Sequence, residues 1–280
     1  MSELGGWLLS HESALRLGAF AALLGLLLGL QWLRPLRGDG AHHRRQFTNL
    51  GLVLIDTALL RLAFPLLAFS LALSIEGRGV GLMPWLALPW LLEIGVTVLL
   101  LDLSIYWQHR LMHVIPPLWR LHRVHHSDTG FDVSTGVRFH PLEIGVSMAV
   151  KLGLVLLLGA DPLAVLLFEL LLSMGSLFTH ADFALPAGLD RRLRWLLVTP
   201  SMHRIHHSSW QPETNSNYGF HLSIWDRLFS SYRAMPRTPE REMEIGLGEF
   251  RASPEQSLTA LLLQPFRRSR PSPPEPSDDA

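Results

Sequence analysis

The stretch IGVSMAVKLGLVLLLGADPLAVLLFELLLSMGSLF, residues 144–178, decides how the chain is laid out. It contains two apolar runs, Ile144 to Leu158 and Pro162 to Phe178, joined by the turn-like Gly159-Ala160-Asp161-Pro162. Each run is marginal for a full crossing of a bilayer core, which takes about 20 residues, so the spacing predicts a tilted or re-entrant helical hairpin. On either side lie two near-identical segments, LHRVHH at 121–126 and MHRIHH at 202–207. A hairpin that leaves one membrane face and returns to it brings these two histidine triplets together.

Working towards the N-terminus, three longer apolar segments read as membrane spans: Leu15 to Leu33, Leu52 to Ile75 and Val80 to Ile105. The first holds Arg16, the second Asp56 and Arg61, and the third Glu93 and Asp102. Composition agrees with an integral membrane chain. Of 280 residues, 48% are apolar and 17% charged, below the roughly 25% charged of soluble domains. Mean hydropathy is +0.24. A formal net charge of zero gives no basic field for nucleic acid, and the absence of cysteine excludes disulfides and thiolate metal ligands. The opening MSELGGWLLSHESALRLGAF lacks the basic start and small-residue cleavage site of a signal peptide, so the first apolar run is expected to be retained as a span.

The loop at 34–46 carries four arginines and is expected to be cytoplasmic, whereas the loop near 76–79 has only Arg78. Counting spans from there returns His109 to the cytoplasmic side. The predicted fold is therefore all-α: a polytopic membrane helical bundle of three long spans plus the short hairpin, with a cytoplasmic histidine-rich helical cap. Residues 1–105 form the membrane spans. Residues 106–235 form the histidine-rich region, including the hairpin at 142–179. Residues 236–280 form a C-terminal segment with a disordered-looking tail, and the whole is expected to act as one domain. Lys151, the only lysine, and Glu169 lie at similar depth in the hairpin and are expected to face each other or the bundle interior.

Eleven of the fourteen histidines fall between residues 109 and 221. His109 and His113, at i and i+4, share one helical face about 6 Å apart, a spacing suited to gripping one ion. In each triplet, His122/His125/His126 and His203/His206/His207, the two adjacent imidazoles diverge by roughly 100° on a helix, so one doublet can serve two neighbouring metals. Helical starts are marked by Pro117 for the first triplet, and by Thr199 as N-cap with Pro200 at the first position for the second. Eight imidazoles suit two ions with about four ligands each. His180, at the end of the hairpin, is a ninth candidate ligand, and His140, at its start, a tenth. His221 is a weaker candidate, and His11, His42 and His43 read as solvated loop residues. Imidazole suits zinc, copper, iron and nickel alike. There is no HExxH of a zinc protease and no Glu-x-x-His of the soluble di-iron bundles, so the ligand set leaves the metal open.

The motifs DLSIYWQHRLMH (102–113), LHRVHHSD (121–128), FHPLE (139–143), MHRIHHS (202–208) and NYGFHLSIWDRLFSSYR (217–233) together resemble the fatty acid hydroxylase and sterol desaturase superfamily. The resemblance covers roughly residues 95–235. It implies two non-haem iron ions, O2 as co-substrate, attack on an unactivated C–H bond of a lipid, and electrons from a separate reductase or carrier. It implies that His109, His113, His122, His125, His126, His203, His206 and His207 are metal ligands, and His180 is read as a further one. Asp102, seven residues before His109 on the same helical face, is expected to accept a hydrogen bond from a ligand imidazole. His140, Asn217 and Asp226 are further candidates for supporting the ligands. Tyr106, Trp107, Trp119 and Trp225 read as interfacial anchors. A membrane acyl desaturase is the alternative in the same class, although FHPLE and the closing motif favour the hydroxylase superfamily. A metal transporter or storage protein is the alternative of another class, and it would be expected to line its spans with ligands. Hydroxylation versus desaturation, and the lipid itself, stay open.

Overall fold

The computed structural model describes residues 3–38, 43–64 and 66–268. His42, expected to be a solvated loop residue, and the tail beyond Arg268 lie outside these residues. Among them there is no β-strand, only two isolated bridges, so the all-helical expectation holds.

The first 114 residues form α1 (Glu3–Ser10), α2 (Glu12–Leu33), α3 (His43–Ala63), α4 (Ala68–Ile75), α5 (Leu82–Leu86) and α6 (Trp90–Val114). Then come α7 (Pro116–His126), the hairpin helices α8 (Pro141–Leu158) and α9 (Pro162–Thr179), α10 (Ala187–Leu193) and α11 (Pro200–His206). Five segments are long and apolar enough to cross a membrane: α2, α3 with α4, α6, α8 and α9.

Two expected spans have different ends. The second begins at His43, not Leu52, because the polar residues of its first turns face protein. Arg45 bonds Asp128 at 2.6 Å, and Asn49 bonds Asp128 and Ser134 at 3.1 Å each. The third starts at Trp90 instead of Val80, after Pro89, which has no N–H to give a preceding helical turn. It then runs on through His109 and His113 because those polar side chains also point inward.

The hairpin reaches the far end of the bundle. Its tip glycine, Gly159, adopts φ +65°, and a Cβ there would lie 1.8 Å from the carbonyl oxygen of Val80, so only glycine fits. Asp161 caps α9 by accepting from the Leu163 N–H at 2.7 Å and also accepts from the Trp90 indole at 3.2 Å. The core of this half is built from α4, α6, α8 and α9 around Phe69, Leu101, Val155 and Phe168. Lys151 meets Glu169 at 2.8 Å as expected, and Arg16 from α2 approaches the same carboxylate at 3.0 Å. The acid is thereby held between two cations, which is how a buried charge is tolerated at membrane depth.

At the opposite end the chain between α7 and α8 folds over α3. Asp128 is buried and accepts from Arg45, Asn49 and Thr135. Burial raises its carboxyl, but Arg45 and Arg138 outweigh that and hold it below the ordinary carboxylate range. The last turn of α2 and the loop after it are tied to this end too: Gln31 Oε1 accepts from the N–H groups of Val133 and Asp182, both at 2.8 Å, and the Leu36 N–H donates to Asp182 O at 3.1 Å. The arginine-rich first loop and the two histidine triplets therefore share one end of the bundle.

Candidate metal centre

The nine histidines expected as ligands converge into two groups. His109, His113, His122, His126 and His206 form one; His125, His180, His203 and His207 form the other. Within each group one ring nitrogen per residue lies within 4.8 Å of all the others. All are buried except His113, which is half-buried. The groups cut across the sequence boxes. Each adjacent doublet is split, with rings turned 90° apart at His125/His126 and 85° at His206/His207. The splitting itself is what side chains about 100° apart around a helix are expected to show, and it makes the two groups share walls.

Local sequence sets these rings in place. α7 begins at Pro116–Pro117, so the first triplet falls in its last two turns. Thr199 caps α11 through the Met202 N–H at 3.3 Å, with Pro200 at the first position, as expected. The arginine that follows the first histidine in each triplet points away from the imidazoles. Arg123 donates to the carbonyl oxygens of Gln264 and Arg267, and Arg204 pairs with Glu240 and donates to Ala181 O at 3.2 Å. Each arginine thus fastens its helix to neighbouring chain, a use of the repeat that spacing alone does not suggest.

Six of the nine rings have Nδ1 beside an oxygen acceptor. His109 meets Tyr218 O at 2.7 Å, His206 meets Ser216 O at 2.7 Å, and His122 meets the Glu143 carboxylate at 2.7 Å. His113 meets Asn215 Oδ1 at 3.3 Å, His125 meets Arg138 O at 3.2 Å, and His180 meets Ser176 O at 2.7 Å. Backbone carbonyls only accept, so in the neutral ring they fix the proton on Nδ1 and leave a lone pair on Nε2. These Nε2 atoms then face one another: His109 and His206 at 3.1 Å, His125 and His180 at 3.2 Å. Such pairs are two acceptors in contact, not hydrogen bonds. A cation between them converts repulsion into coordination. Nε2 of His113, His122 and His126 likewise has no hydrogen-bond partner.

Burial and the neighbouring imidazoles hold His125, His126, His203 and His207 well below the ordinary histidine value. Burial pushes His180 down to about 4 and His206 to about 3, each against the pull of its carbonyl bond. These six rings are therefore neutral near pH 7, the form that binds metal. Phe139 stacks on His125 with centroids 4.7 Å apart, and Phe131 packs against His180 and His207, closing the second group to water.

Several candidate supporting residues have other partners. Asp102 bonds no imidazole of either group: it accepts from His221 Nδ1 at 2.7 Å and from the Trp225 indole at 2.8 Å. His221 is in neither group, and bridges Asp102 to the carbonyl of Leu171. His140 is not with the ligands either. It caps α8 by accepting from the Leu142 N–H at 3.1 Å, and its Nε2 donates to Leu262 O at 3.1 Å. Asn217 and Asp226 act one step further out. Asn217, at φ +53°, ties Met202 and Arg233 together through its side chain. Asp226 accepts from the N–H groups of Tyr218 and Gly219 at 2.7 and 2.9 Å. Between them they shape the turn whose carbonyls hold His109 and His206. Burial lifts the Asp226 carboxyl to about 6 despite these bonds. Tyr106 and Trp225 are buried, not interfacial; the Tyr106 hydroxyl meets Ser231 Oγ at 2.8 Å. Trp119 packs on His113 and His126, with centroids 5.0 and 5.5 Å away.

The carboxylate that does orient a ligand is Glu143, the last residue of FHPLE, which sequence reasoning did not single out. Its signal was an acid in the first turn of a helix that starts beside the histidine boxes. A cavity of about 360 Å³ adjoins it. Its walls are largely apolar, from α2, α3, α6, α8 and α9; it touches His109 and His122 at one end and Arg16, Lys151 and Glu169 deeper in.

A profile of the fatty acid hydroxylase family matches residues 94–231. Among curated proteins the chain is 32% identical over 181 residues to ornithine lipid hydroxylase OlsE of Rhizobium tropici, covering 64% of this chain and 52% of that one. It is 33% identical over 134 residues to human alkylglycerol monooxygenase, 48% of this chain and 29% of that one. It is 30% identical over 144 residues to a cholesterol 25-hydroxylase-like protein of Danio rerio, 50% and 55% of the two chains. The matched region thus spans about half or less of each relative's length. No solved structure matches the chain significantly. The matched segment holds all nine clustered histidines, Glu143 and the Asn217–Asp226 turn, and it is in this segment that the chain is similar to the fatty acid hydroxylase family.

Proposed function

We propose that this chain is an integral membrane non-haem di-iron oxidoreductase that uses O2 to hydroxylate a C–H bond of a lipid, with electrons from a separate reductase or carrier. The observation that carries the reading is the facing of Nε2 lone pairs, His109 against His206 and His125 against His180, inside two buried all-histidine groups. The donor set fits two ions. His109, His113, His122, His126 and His206 would hold one, and His125, His180, His203 and His207 the other. Imidazole alone does not choose among the late first-row metals; the choice of iron follows from the likeness to the fatty acid hydroxylase family. Iron bound there would supply O2 activation next to the cavity.

The chain's own residues account for orientation and exclusion. Glu143 and four backbone carbonyls aim the rings, as supporting hydrogen bonds do at other histidine metal sites. Phe131 and Phe139 keep water from the second group, and the apolar cavity gives a hydrocarbon chain access to the His109 and His122 side. Ligands gathered at one end, with none of the nine histidines deeper than the last turns of α6, argue against ion transport through the bundle. The arginines of the first loop share the histidine end, which supports a cytoplasmic histidine face by the positive-inside rule. The three regions, 1–105, 106–235 and 236–280, act as one functional unit in this reading, because α2 and α3 wall the cavity of the histidine region.

The test compares lipid extracts of cells with and without the gene grown under 18O2. One heavy oxygen in a gene-dependent lipid is expected. A two-hydrogen mass loss would point to desaturation, and no gene-dependent lipid change with metal still bound would refute the enzymatic reading.

A further inference from the structure

A second cavity, of about 660 Å³, shares no lining residue with the one at His109 and His122. Its place in the bundle follows from the chain on either side. Leu36, three residues past the end of α2, forms one edge, and Ala184 and Leu185, just past the end of α9, form the next. Both helices are long and apolar enough to cross a membrane, so the cavity lies where two spans leave the bilayer at the histidine end. The wall made by Arg194, Trp195 and Arg227 reaches deeper. It belongs to two segments paired by Val198 N–H to His221 O at 2.7 Å and Ser223 N–H to Leu196 O at 3.0 Å. His221 in turn meets the carbonyl of Leu171, about two turns inside the end of α9. The cavity therefore sits at the level of the lipid headgroups.

Four arginines and two acids line it. Both acids are already engaged: Asp190 pairs with Arg194 at 2.6 Å, and Glu240 pairs with Arg204 and accepts from Ser201. Arg191, Arg227 and Arg241 form no ion pair among the described residues. Arg227 is held in place, donating to Arg194 O at 2.8 Å and lying 3.8 and 4.6 Å over the rings of Tyr232 and Trp195. Arg191 and Arg241 are exposed. Three cations thus converge on one cavity with no protein anion opposite them. At a bilayer surface the available counter-charge is the lipid phosphate, which the planar guanidinium fork fits with two parallel N–H donors. The apolar side chains of Trp195, Leu196 and Met235 are exposed around the same opening, and tryptophan is enriched at membrane interfaces. They give acyl chains a surface next to the cations. A docked acidic protein would have to displace headgroups to reach it.

We propose that this cavity binds the phosphate headgroup of an anionic membrane phospholipid, with Arg191, Arg227 and Arg241 as its cationic contacts and Trp195 beside the acyl chains. None of the nine clustered histidines lines the cavity, so the lipid is a fixed partner of the fold and not a substrate. The proposal rests on the membrane spans and stands whether or not the chain is a hydroxylase.

The test uses the full, metal-loaded chain in nanodiscs holding equal amounts of dioleoylphosphatidylglycerol and dioleoylphosphatidylcholine. Lipids that stay on the chain after gentle extraction are counted by native mass spectrometry. One cationic side chain at an anionic lipid surface is worth about a fivefold gain in affinity. Wild type is expected to retain phosphatidylglycerol over phosphatidylcholine by roughly tenfold or more. Arg191→Gln combined with Arg241→Gln, both at exposed positions, is expected to lower that ratio about fivefold or more. Arg227→Gln is expected to lower it as well, and the exposed pair carries the test if this variant fails to fold. Arg78→Gln, in the loop at the other end of the bundle, is expected to leave the ratio unchanged. Inorganic phosphate, added to separate a lipid headgroup from a free anion, is expected not to displace the retained lipid; displacement at millimolar phosphate would overturn the lipid assignment. An even ratio in wild type would overturn the proposal and leave these cations to a soluble acidic partner. The wild-type ratio in the double variant would overturn it too.

Discussion

Glu143→Gln is the most informative single substitution at the proposed metal site. The carboxylate is 2% exposed and accepts from His122 Nδ1 at 2.7 Å, so the bond is charge-assisted and shielded from water. Glutamine has nearly the same shape and retains one acceptor oxygen, so the ring keeps its tautomer but loses the charge behind it. A charge-assisted bond contributes about 1.5–3 kcal/mol and a neutral one about 0.5–1.5, so the difference is about 1–1.5 kcal/mol. That corresponds to roughly five- to tenfold weaker metal binding in the first group. Glu143→Ala leaves a buried N–H without an acceptor and should cost more, towards the upper part of the 10- to 100-fold range of such supporting residues. Metal retention against a graded chelator series measures both. The order wild type, Gln, Ala is expected, with loss confined to one ion. Retention by Glu143→Ala within twofold of wild type would refute the idea that this carboxylate tunes His122.

Three further outcomes follow from the same geometry. His180→Ala removes a ring whose Nε2 lies 3.0 Å from that of His203 and 3.2 Å from those of His125 and His207, so it should lower metal content by about one ion per chain and abolish product; full content with full activity would exclude His180 as a ligand. Lys151→Glu should reduce folded yield, and adding Glu169→Lys should restore it only in part, because the new lysine faces Arg16; adding Arg16→Gln should complete the recovery, as read by monodisperse yield in detergent. In the metal-free chain, His180 and His206 are pushed down to about 4 and about 3, against about 6.5 in the unfolded chain. The unfolded state therefore binds more protons below pH 6.5, so stability should be level above that pH and fall as pH drops towards 4 and 3. Thermal unfolding of the apo chain at pH 8, 6.5 and 5 checks the sign, and a rise in stability at pH 5 would contradict it.

How far the sequence carried the reading varies with the kind of signal. Histidines at i, i+3 and i+4 sit on a regular helix, so the splitting of His125 from His126 and of His206 from His207 followed from helical geometry alone. The Lys151–Glu169 contact followed from equal distances to a shared turn. Span ends were less legible, because hydropathy scores a residue's type and not the face it occupies. Arg45 and Asn49 look like loop residues until the 128–138 segment arrives to bond them, and His109 and His113 look like the end of a span until other imidazoles surround them. Asp102 shares a face with His109, which points it towards the ligands, but it lies about two turns deeper, where His221 and Trp225 reach it first. Both come from the segment after α11, a contact across more than a hundred residues that local periodicity does not encode. Glu143 carries no distinct signal in the sequence, because an acid in a first helical turn already has an ordinary explanation in the helix dipole. The cavity beside His109 and His122 is a property of five helices together, which no single segment displays.

The central claim is that nine histidines of this chain hold two ions with no carboxylate in the coordination shell. Metal stoichiometry together with Fe K-edge absorption on anaerobically prepared, iron-loaded protein tests it most directly. The account predicts two irons per chain with an imidazole shell, one iron being lost in His180→Ala and the spectrum keeping its imidazole character in Glu143→Gln. A single iron per chain, or a shell containing carboxylate oxygen that disappears in Glu143→Gln, would contradict it.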